Sequence, residues 1–209
     1  MQDYYAARAH EYDRIYAKPE RQSDLRRMES WLPQALAGRS VLELACGTGY
    51  WTQFYAPAAR QVVALDSSPE TLEIARTRVP PQVQLLTGDA YRPPQAATAF
   101  DGAFAGFWWS HIPLQRIPAF LERLHAVLQP GAKVVFMDNR FVAGSSTPLS
   151  ERTPEGDTYQ LRKLEDGSSH RVLKNFPTAE FLLATVEPNA AVASYHQWTY
   201  FWALEYSLK

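Results

Sequence analysis

Cysteine is nearly absent from this sequence, because Cys46 is the one thiol among its 209 residues. A single thiol cannot form an internal disulfide. A structural metal site usually needs a cluster of cysteine and histidine ligands, which these spacings do not supply. We therefore expect a protein of a reducing compartment that binds no metal.

Long apolar runs and an excess of either charge are lacking as well. No run approaches the roughly 20 apolar residues of a membrane span, and the first residues lack the apolar stretch of a signal peptide. Lys and Arg number 21 against 22 Asp and Glu, for a formal net charge of −1. No basic face for nucleic acid stands out. We expect a cytoplasmic protein that binds neither membrane nor nucleic acid.

The sequence does contain enough apolar residues for one buried core. Hydrophobic residues make up 46% of the chain and charged residues 21%, which with this length favours a single domain over residues 1–209. Residues 1–37 predict a helical cap, residues 38–140 a core of alternating strands and helices, and residues 141–209 a polar excursion followed by closing strands.

Short apolar runs alternate with helix-length segments through the central core. We predict a helix over 114–128, and strands over 41–45, 61–65, 83–86, 100–105 and 133–137. This order predicts an α/β fold with a doubly wound, mostly parallel sheet and a ligand at the carboxyl ends of the strands. Two closing strands between residues 192 and 208 bring the predicted sheet to seven strands.

Three predicted strands end in residues that suit a nucleoside. The first ends in the turn Cys46-Gly-Thr-Gly49, where glycine lets a ligand approach the backbone closely. Asp66 ends the next strand, about 20 positions after the turn, where a carboxylate can accept hydrogen bonds from both ribose hydroxyls. Asp89 ends the third strand and could accept from the adenine amine, although a turn residue after Gly88 explains it equally well.

These motifs resemble the class I S-adenosylmethionine-dependent methyltransferases, in particular the small-molecule group of the ubiquinone and menaquinone methyltransferases. The resemblance covers residues 38–140, including the turn at 128–133. It implies a Rossmann-like fold, S-adenosylmethionine as cofactor, and methyl transfer to a small molecule. The implied cofactor site comprises Glu43 beside the methionine amino group, Gly47, Thr48 and Gly49 in the turn, Asp66 and Ser67 at the ribose, Asp89 and Ala90 at the adenine, and Phe107.

The segment Gly106-Phe-Trp-Trp-Ser-His111 follows the fourth predicted strand and would lie at the mouth of the site. We predict that Trp108 and Trp109, together with Tyr5 of the cap and Arg140 after the fifth strand, bind the acceptor. Aromatic faces suit a sulfonium donor and favour an aromatic or cationic acceptor. Each aromatic residue is equally well explained as a core side chain.

His111 is the candidate catalytic base, because an oxygen nucleophile must lose its proton, although a lone histidine is more often structural. Arg140 could bind a substrate carboxylate, neutralise Asp138 or anchor the excursion. The same alternatives apply to Lys174 and Asn175.

Two other functions stay open at this level. An NAD(P)-dependent oxidoreductase also uses a glycine turn and an acid, but here Thr52 replaces its third glycine and Glu43 stands where such sites have apolar residues. A non-catalytic S-adenosylmethionine-binding protein would have the same motifs. The partner is a small-molecule acceptor of unknown identity, and the chain could be a monomer or a homodimer.

Overall fold

The computed structural model describes residues 16–95, 100–164 and 167–209. Within these ranges the helices are α1 (Gln22–Ala35), α2 (Thr52–Tyr55), α3 (Pro69–Arg78), α4 (Ile117–His125) and α5 (Ala179–Val186). The strands are β1 (Ser40–Leu44), β2 (Gln61–Asp66), β3 (Gln84–Thr87), β4 (Phe100–Gly106), β5 (Leu128–Asn139), β6 (Glu151–Arg152), β7 (Thr158–Lys163), β8 (Ser169–Leu173), β9 (Ala190–Gln197) and β10 (Phe201–Leu208).

Seven of these strands form the main sheet, in the order β3-β2-β1-β4-β5-β10-β9. Neighbours from β3 through β5 are parallel, whereas β10 pairs antiparallel with both β5 and β9. The prediction of a doubly wound, mostly parallel seven-stranded sheet is therefore confirmed. Strand order departs from chain order on both sides of β1, which places a ligand crevice at the carboxyl ends of β1 and β4.

Side chains of the main sheet alternate between its two faces, and each face is covered. On one face Trp109, Phe120 and Phe136 belong to a buried cluster under α4 and α5. On the other, Met28 and Leu32 of α1 pack into a second cluster with the rest of that face. The apolar stripe of α1 therefore attaches the described part of the predicted helical cap to the sheet. Residues 1–15, which include Tyr5, lie outside the described residues.

Helix α3 begins with a capping side chain and a proline. The hydroxyl of Ser68 accepts a hydrogen bond from the backbone N–H of Thr71 at 3.2 Å, and Pro69 occupies the first turn. A capping side chain satisfies one N–H that the helix itself leaves unpaired, and proline at this position loses no hydrogen bond. The start of α3 is thus held directly beside the end of β2.

The predicted helix over 114–128 is shorter in the structure. A 3-10 turn at Leu114–Arg116 precedes α4, which ends at His125. Leu128 already belongs to β5, where it pairs with Phe100. The apolar residues near 127 and 128 suit a buried strand as well as a helix, because periodicity does not separate the two over so short a run.

The polar excursion contains a small sheet of its own. Strands β6, β7 and β8 form a separate antiparallel sheet in that order. Its last strand brings Leu173 and Lys174 to the segment that follows β4. None of the helices in the described ranges is long and apolar enough to cross a membrane.

Candidate active site

A cavity of about 290 Å³ lies at the carboxyl ends of the central strands. This volume is close to the lower end, about 300 Å³, of the range usual for small-molecule sites. The cavity is lined by Ala45, Gly47, Leu65, Asp66, Ser67, Thr71, Asp89, Ala90, Tyr91, Gly106, Phe107, Trp108, His111 and Arg116.

The cavity brings together eight of the residues that the sequence predicts for the site. They come from the turn after β1, the ends of β2 and β3, and the segment after β4: Gly47, Asp66, Ser67, Asp89, Ala90, Phe107, Trp108 and His111. Five others are not on its wall, namely Glu43, Thr48, Gly49, Trp109 and Arg140. Tyr5 lies outside the described residues.

Asp66 connects the turn after β1 to the start of α3. One carboxylate oxygen accepts from the N–H of Gly47 at 2.9 Å, and the other accepts from the N–H of Ser68 at 2.9 Å. Burial raises the pKa of the Asp66 carboxyl, while these hydrogen bonds oppose the rise. Oδ1 also accepts from the hydroxyl of Thr71 at 3.3 Å, whereas Oδ2, which accepts from Gly47, can accept a second hydrogen bond from a ligand. The carboxylate therefore fits the ribose-binding role that the sequence predicts.

The glycine turn depends on left-handed backbone. Gly47 has φ of 55° and Gly49 has φ of 71°. A Cβ atom at Gly49 would lie 2.6 Å from Cγ1 of Val79, so this glycine also lets the turn pack closely against α3. Thr48 is 1% exposed, and its hydroxyl accepts a hydrogen bond from Arg78. Thr48 and Gly49 thus support the turn from behind and are not part of the cavity wall.

Ala45 is a feature of this turn that sequence reasoning missed. It has φ of 53°, which is unusual for a residue other than glycine, and it lines the cavity. Nothing in its residue type predicts this conformation, because left-handed backbone is common only for glycine, asparagine and aspartate.

Glu43 is turned toward α2 and away from the cavity. Its carboxylate accepts hydrogen bonds from the hydroxyls of Thr52 at 2.7 Å and Tyr55 at 2.8 Å. Burial raises the pKa of the Glu43 carboxyl to about 7. Both hydrogen bonds go to Oε2, and Glu43 is not on the cavity wall, so its contact with the methionine amino group stays a prediction.

Phe107 begins the aromatic side of the cavity with a left-handed backbone, φ of 59°. Its N–H donates to the carbonyl of Met137 at 2.6 Å, which holds the turn after β4 against β5. The ring stacks on Trp51 at 5.8 Å and meets the edge of Tyr16 at the same distance. Through these contacts the described end of the cap packs directly behind the cavity wall.

The two tryptophans after Phe107 face different surroundings. Trp108 lines the cavity, and its ring meets that of Tyr91 edge-on at 5.3 Å. Trp109 is 1% exposed and packs between Phe136 and Trp202 in the core. The prediction that Trp109 binds the acceptor therefore does not match its position. Successive residues of a short 3-10 turn point in different directions, so adjacent tryptophans cannot both face the cavity.

Arg140 is held by the connection between β9 and β10. Its guanidinium donates to the carbonyls of Trp198 and Thr199 at 2.8 and 3.1 Å, and its backbone N–H donates to Tyr200. Arg140 thus anchors the connection between the closing strands, whereas the sequence suggested an anchor for the excursion, and Arg140 is not on the cavity wall.

His111 is buried and lines the cavity. Its Nδ1 atom lies 2.6 Å from the carbonyl oxygen of Leu173, which can only accept, so Nδ1 carries the hydrogen and donates. Burial lowers the pKa of His111 well below its ordinary range, Lys174 and Arg162 lower it further, and Asp138 opposes them. The ring is therefore neutral near pH 7, with its lone pair on Nε2.

Sequence reasoning also missed Tyr91 and Arg116 on the cavity wall. The guanidinium of Arg116 lies 3.9 Å from the centre of the Tyr91 ring, within cation–π range. Tyr91 could have been found from its place directly after Asp89 and Ala90, whereas Arg116 belongs to a distant turn. Among the residues that the structure describes, no group of three or more His, Cys, Asp or Glu side chains could hold a metal ion.

Residues 41–131 match a family model described as a methyltransferase domain. The demethylmenaquinone methyltransferase of Oceanobacillus iheyensis is 29% identical over 145 residues, which cover 62% of this chain and 60% of that protein. The magnesium-protoporphyrin O-methyltransferase of Rhodobacter capsulatus is 30% identical over 155 residues, covering 70% of this chain and 69% of that protein. The chain thus spans about 60 to 70% of the length of these relatives.

The fold has a close counterpart among solved structures. A structure described as a DhpI-SAM-HEP complex matches with a TM-score of 0.79 and 28% sequence identity, over 97% of this chain and 94% of that one. The match extends through the excursion and the closing strands, whereas the family model ends at residue 131.

Proposed function

Because the chain belongs to the class I S-adenosylmethionine-dependent methyltransferases, we propose that it methylates a small molecule that carries an aromatic ring or a cationic group. The observation that carries the proposal is one cavity whose wall combines two carboxylates with aromatic residues and a histidine. Asp66 and Asp89 lie on its wall at the ends of β2 and β3, and Phe107, Trp108 and His111 follow β4.

The acidic end of the cavity is suited to an adenosine. The Asp66 carboxylate would accept hydrogen bonds from the ribose hydroxyls, and Asp89 would accept from the adenine amine, beside Ala90. A hydrogen bond to an ionised group contributes about 1.5 to 3 kcal/mol. When bound, S-adenosylmethionine supplies a methyl group on a positively charged sulfur, which becomes a neutral thioether once the methyl group has moved. Gly47 leaves room at the backbone for this ligand.

The aromatic end is suited to the acceptor. Phe107 and Trp108 line it, and aromatic rings favour contact with a cation or another ring, where a cation over a desolvated ring gains about 0.5 to 2 kcal/mol. These walls would hold the two reactants in line and keep water out, which lowers the barrier to a direct displacement. Where the acceptor atom is a hydroxyl oxygen, Nε2 of His111 would take its proton as the oxygen forms its bond to carbon.

The donor half of this proposal is tested by thermal unfolding of the purified protein. S-adenosylmethionine, S-adenosylhomocysteine, NAD and NADP are added separately, because a ligand that binds only the folded state raises the unfolding midpoint. We expect the two adenosyl sulfur compounds to raise it and the nicotinamide cofactors to leave it unchanged. A rise with NAD or NADP alone would overturn the proposal.

The acceptor half is tested by transfer of labelled methyl groups to a panel of compounds. The panel contains ring compounds, amines and aliphatic acids of similar size. We expect turnover of ring-bearing or cationic members. Turnover of aliphatic acids alone would contradict the acceptor class, and donor binding without turnover of any member would favour a non-catalytic binding protein.

A further inference from the structure

A buried ion pair lies directly behind the histidine of the cavity. Lys174, which follows β8, is 3% exposed, and Asp138, near the end of β5, is fully buried. The Lys174 ammonium donates to the Asp138 carboxylate at 2.8 Å and to the hydroxyl of Ser110 at 2.6 Å. The other Asp138 oxygen accepts from the N–H of Ser110 at 3.0 Å. Both charged groups thus form hydrogen bonds with Ser110, the residue that precedes His111.

The segment after β8 also holds His111 and its neighbours through the backbone. The carbonyl of Leu173 accepts from the His111 ring, and the N–H of Asn175 donates to the carbonyl of Ser110 at 2.8 Å. The Asn175 amide donates to the carbonyl of Ile112 at 3.2 Å. Residues 173–175 therefore fix residues 110–112 at three successive positions, with Lys174 at the centre.

The charges that face His111 come from three elements around it. They are Lys174 after β8, Arg162 of β7 and Asp138 of β5, and Lys174 has the strongest influence of the three. A nearby cation disfavours protonation of an imidazole, and a nearby carboxylate favours it. A buried ion pair is weak evidence for stability, since apolar residues often replace one at no cost. Its position beside the cavity histidine indicates a different use.

We propose that Lys174, acting with Asp138, is a positioning residue that fixes the orientation of the His111 ring and keeps the ring unprotonated for methyl transfer. This inference rests on the proposed function of His111 as the proton acceptor. It adds a pair of residues that control the protonation of the base. Lys174 after β8 supplies the positive charge, and Asp138 of β5 supplies the negative charge that stabilises this buried ammonium.

The direct test is the titration of His111 by NMR in protein with labelled histidine. The chain has five histidines, and loss of a signal in His111→Asn assigns the relevant one. In the wild type we expect the chemical shift of this signal to stay at its neutral-imidazole value down to well below pH 6.5. Lys174→Met removes the cation and should raise the midpoint by about 1 to 3 pH units. Asp138→Asn removes the anion and should not raise it.

Lys133→Met is the matched control on the same strand as Asp138. Lys133 pairs with Glu205 at 2.8 Å, and Glu205 also accepts from the ring of His196 at 3.0 Å. This variant should leave the titration midpoint of His111 unchanged. An unchanged His111 midpoint in Lys174→Met, or an equal shift in Lys133→Met, would overturn the proposal.

Lys174→Met leaves a buried carboxylate without its partner, which can prevent folding. The double variant Lys174→Met/Asp138→Asn removes both charges and covers this case. Since Lys174 has a stronger influence on His111 than Asp138, the double variant should also titrate at a higher pH than the wild type. An unchanged midpoint in a folded double variant would contradict the inference.

Two further measurements separate this inference from the proposed function. Calorimetry with S-adenosylhomocysteine should show unchanged affinity in Lys174→Met, because neither charge lines the donor end of the cavity. Once an acceptor is known, the acid limb of kcat/KM should move to higher pH together with the NMR midpoint. If Lys174→Met shifts the NMR midpoint of His111 but the wild type methylates no acceptor, the proposed function is refuted. The effect of Lys174 on His111 is then still established.

Discussion

The hydroxyl of Thr52 donates a 2.7 Å hydrogen bond to the buried carboxylate of Glu43. These are the two residues that distinguish this strand–turn–helix unit from a dinucleotide-binding one, in which a glycine and an apolar residue would stand at their places. A buried hydroxyl needs an acceptor, which Glu43 supplies, and a buried carboxylate needs donors, which Thr52 and Tyr55 supply together. The two residues therefore form one structural unit that joins β1 to α2.

This unit predicts a pH-dependent stability. The pKa of Glu43 rises from 4.5 to about 7 on folding. Between these values the folded protein binds more protons than the unfolded chain, so the free energy of unfolding falls as pH rises. Between pH 4 and pH 8, the free energy of unfolding of the wild type should fall by about 3 kcal/mol more than that of Glu43→Gln. Urea unfolding of both proteins across this range measures the difference, and a constant difference would contradict the raised pKa.

Asp66→Asn should weaken the binding of S-adenosylhomocysteine. The substitution removes the charge from an acceptor that lies on the cavity wall, and the expected loss is about 1.5 to 3 kcal/mol of binding free energy by calorimetry. Asp101→Asn is the control, because Asp101 also accepts from a backbone N–H, that of Ser40, but does not line the cavity. Equal affinity in folded Asp66→Asn and wild type would refute the ribose assignment.

Gly49→Ala should destabilise the fold more than Gly131→Ala. Both glycines have left-handed backbone, with φ of 71° and 76°, which costs alanine about 1 to 2 kcal/mol. A Cβ atom at Gly131 meets nothing within 4 Å, whereas one at Gly49 would lie 2.6 Å from Val79. We expect at least about 1 kcal/mol of additional destabilisation at Gly49 from this overlap. Denaturant unfolding of both variants gives the comparison, and equal losses would show that α3 moves aside freely.

His111→Asn should slow methyl transfer and spare donor binding. The asparagine amide can still donate to the carbonyl of Leu173, but the variant lacks a group that takes a proton. Turnover should fall by about 10² to 10⁴, the usual contribution of a general base. His196→Asn serves as the control, since His196 pairs with Glu205 on β10 and does not line the cavity. Full activity of His111→Asn would make this residue structural.

Local sequence patterns predicted the sheet and the cavity well because both depend on strand ends. The parallel strands β1 to β4 all end at the same edge of the sheet, so residues that follow different strands in the sequence lie close together in the fold. Gly47, Asp66 and Asp89 lie on one cavity wall for this reason. Helix capping is equally local, since Ser68 and Pro69 at the start of α3 act on neighbouring residues.

Local sequence patterns could not predict the direction of individual side chains or contacts between residues far apart in the chain. Glu43 and Trp109 stand next to cavity residues in the chain, yet one faces α2 and the other the core. Asp138 and Lys174 are 36 positions apart, and they meet only because β8 returns to the end of β5. Sequence reasoning left three roles open for Lys174 and Arg140, and the structure shows that Lys174 neutralises Asp138.

The order of strands in the main sheet has a consequence for synthesis on the ribosome. Strand β10 follows β9 in the chain but lies between β5 and β9 in the sheet. Until residues 201–208 have emerged, β9 has no strand to pair with, and the outer side of β5 stays open. Unpaired strand edges recruit other chains, so this interval is when nascent molecules are most exposed to aggregation. Strands β1 to β5 pair only with one another before that point, and the donor end of the cavity can form while translation continues.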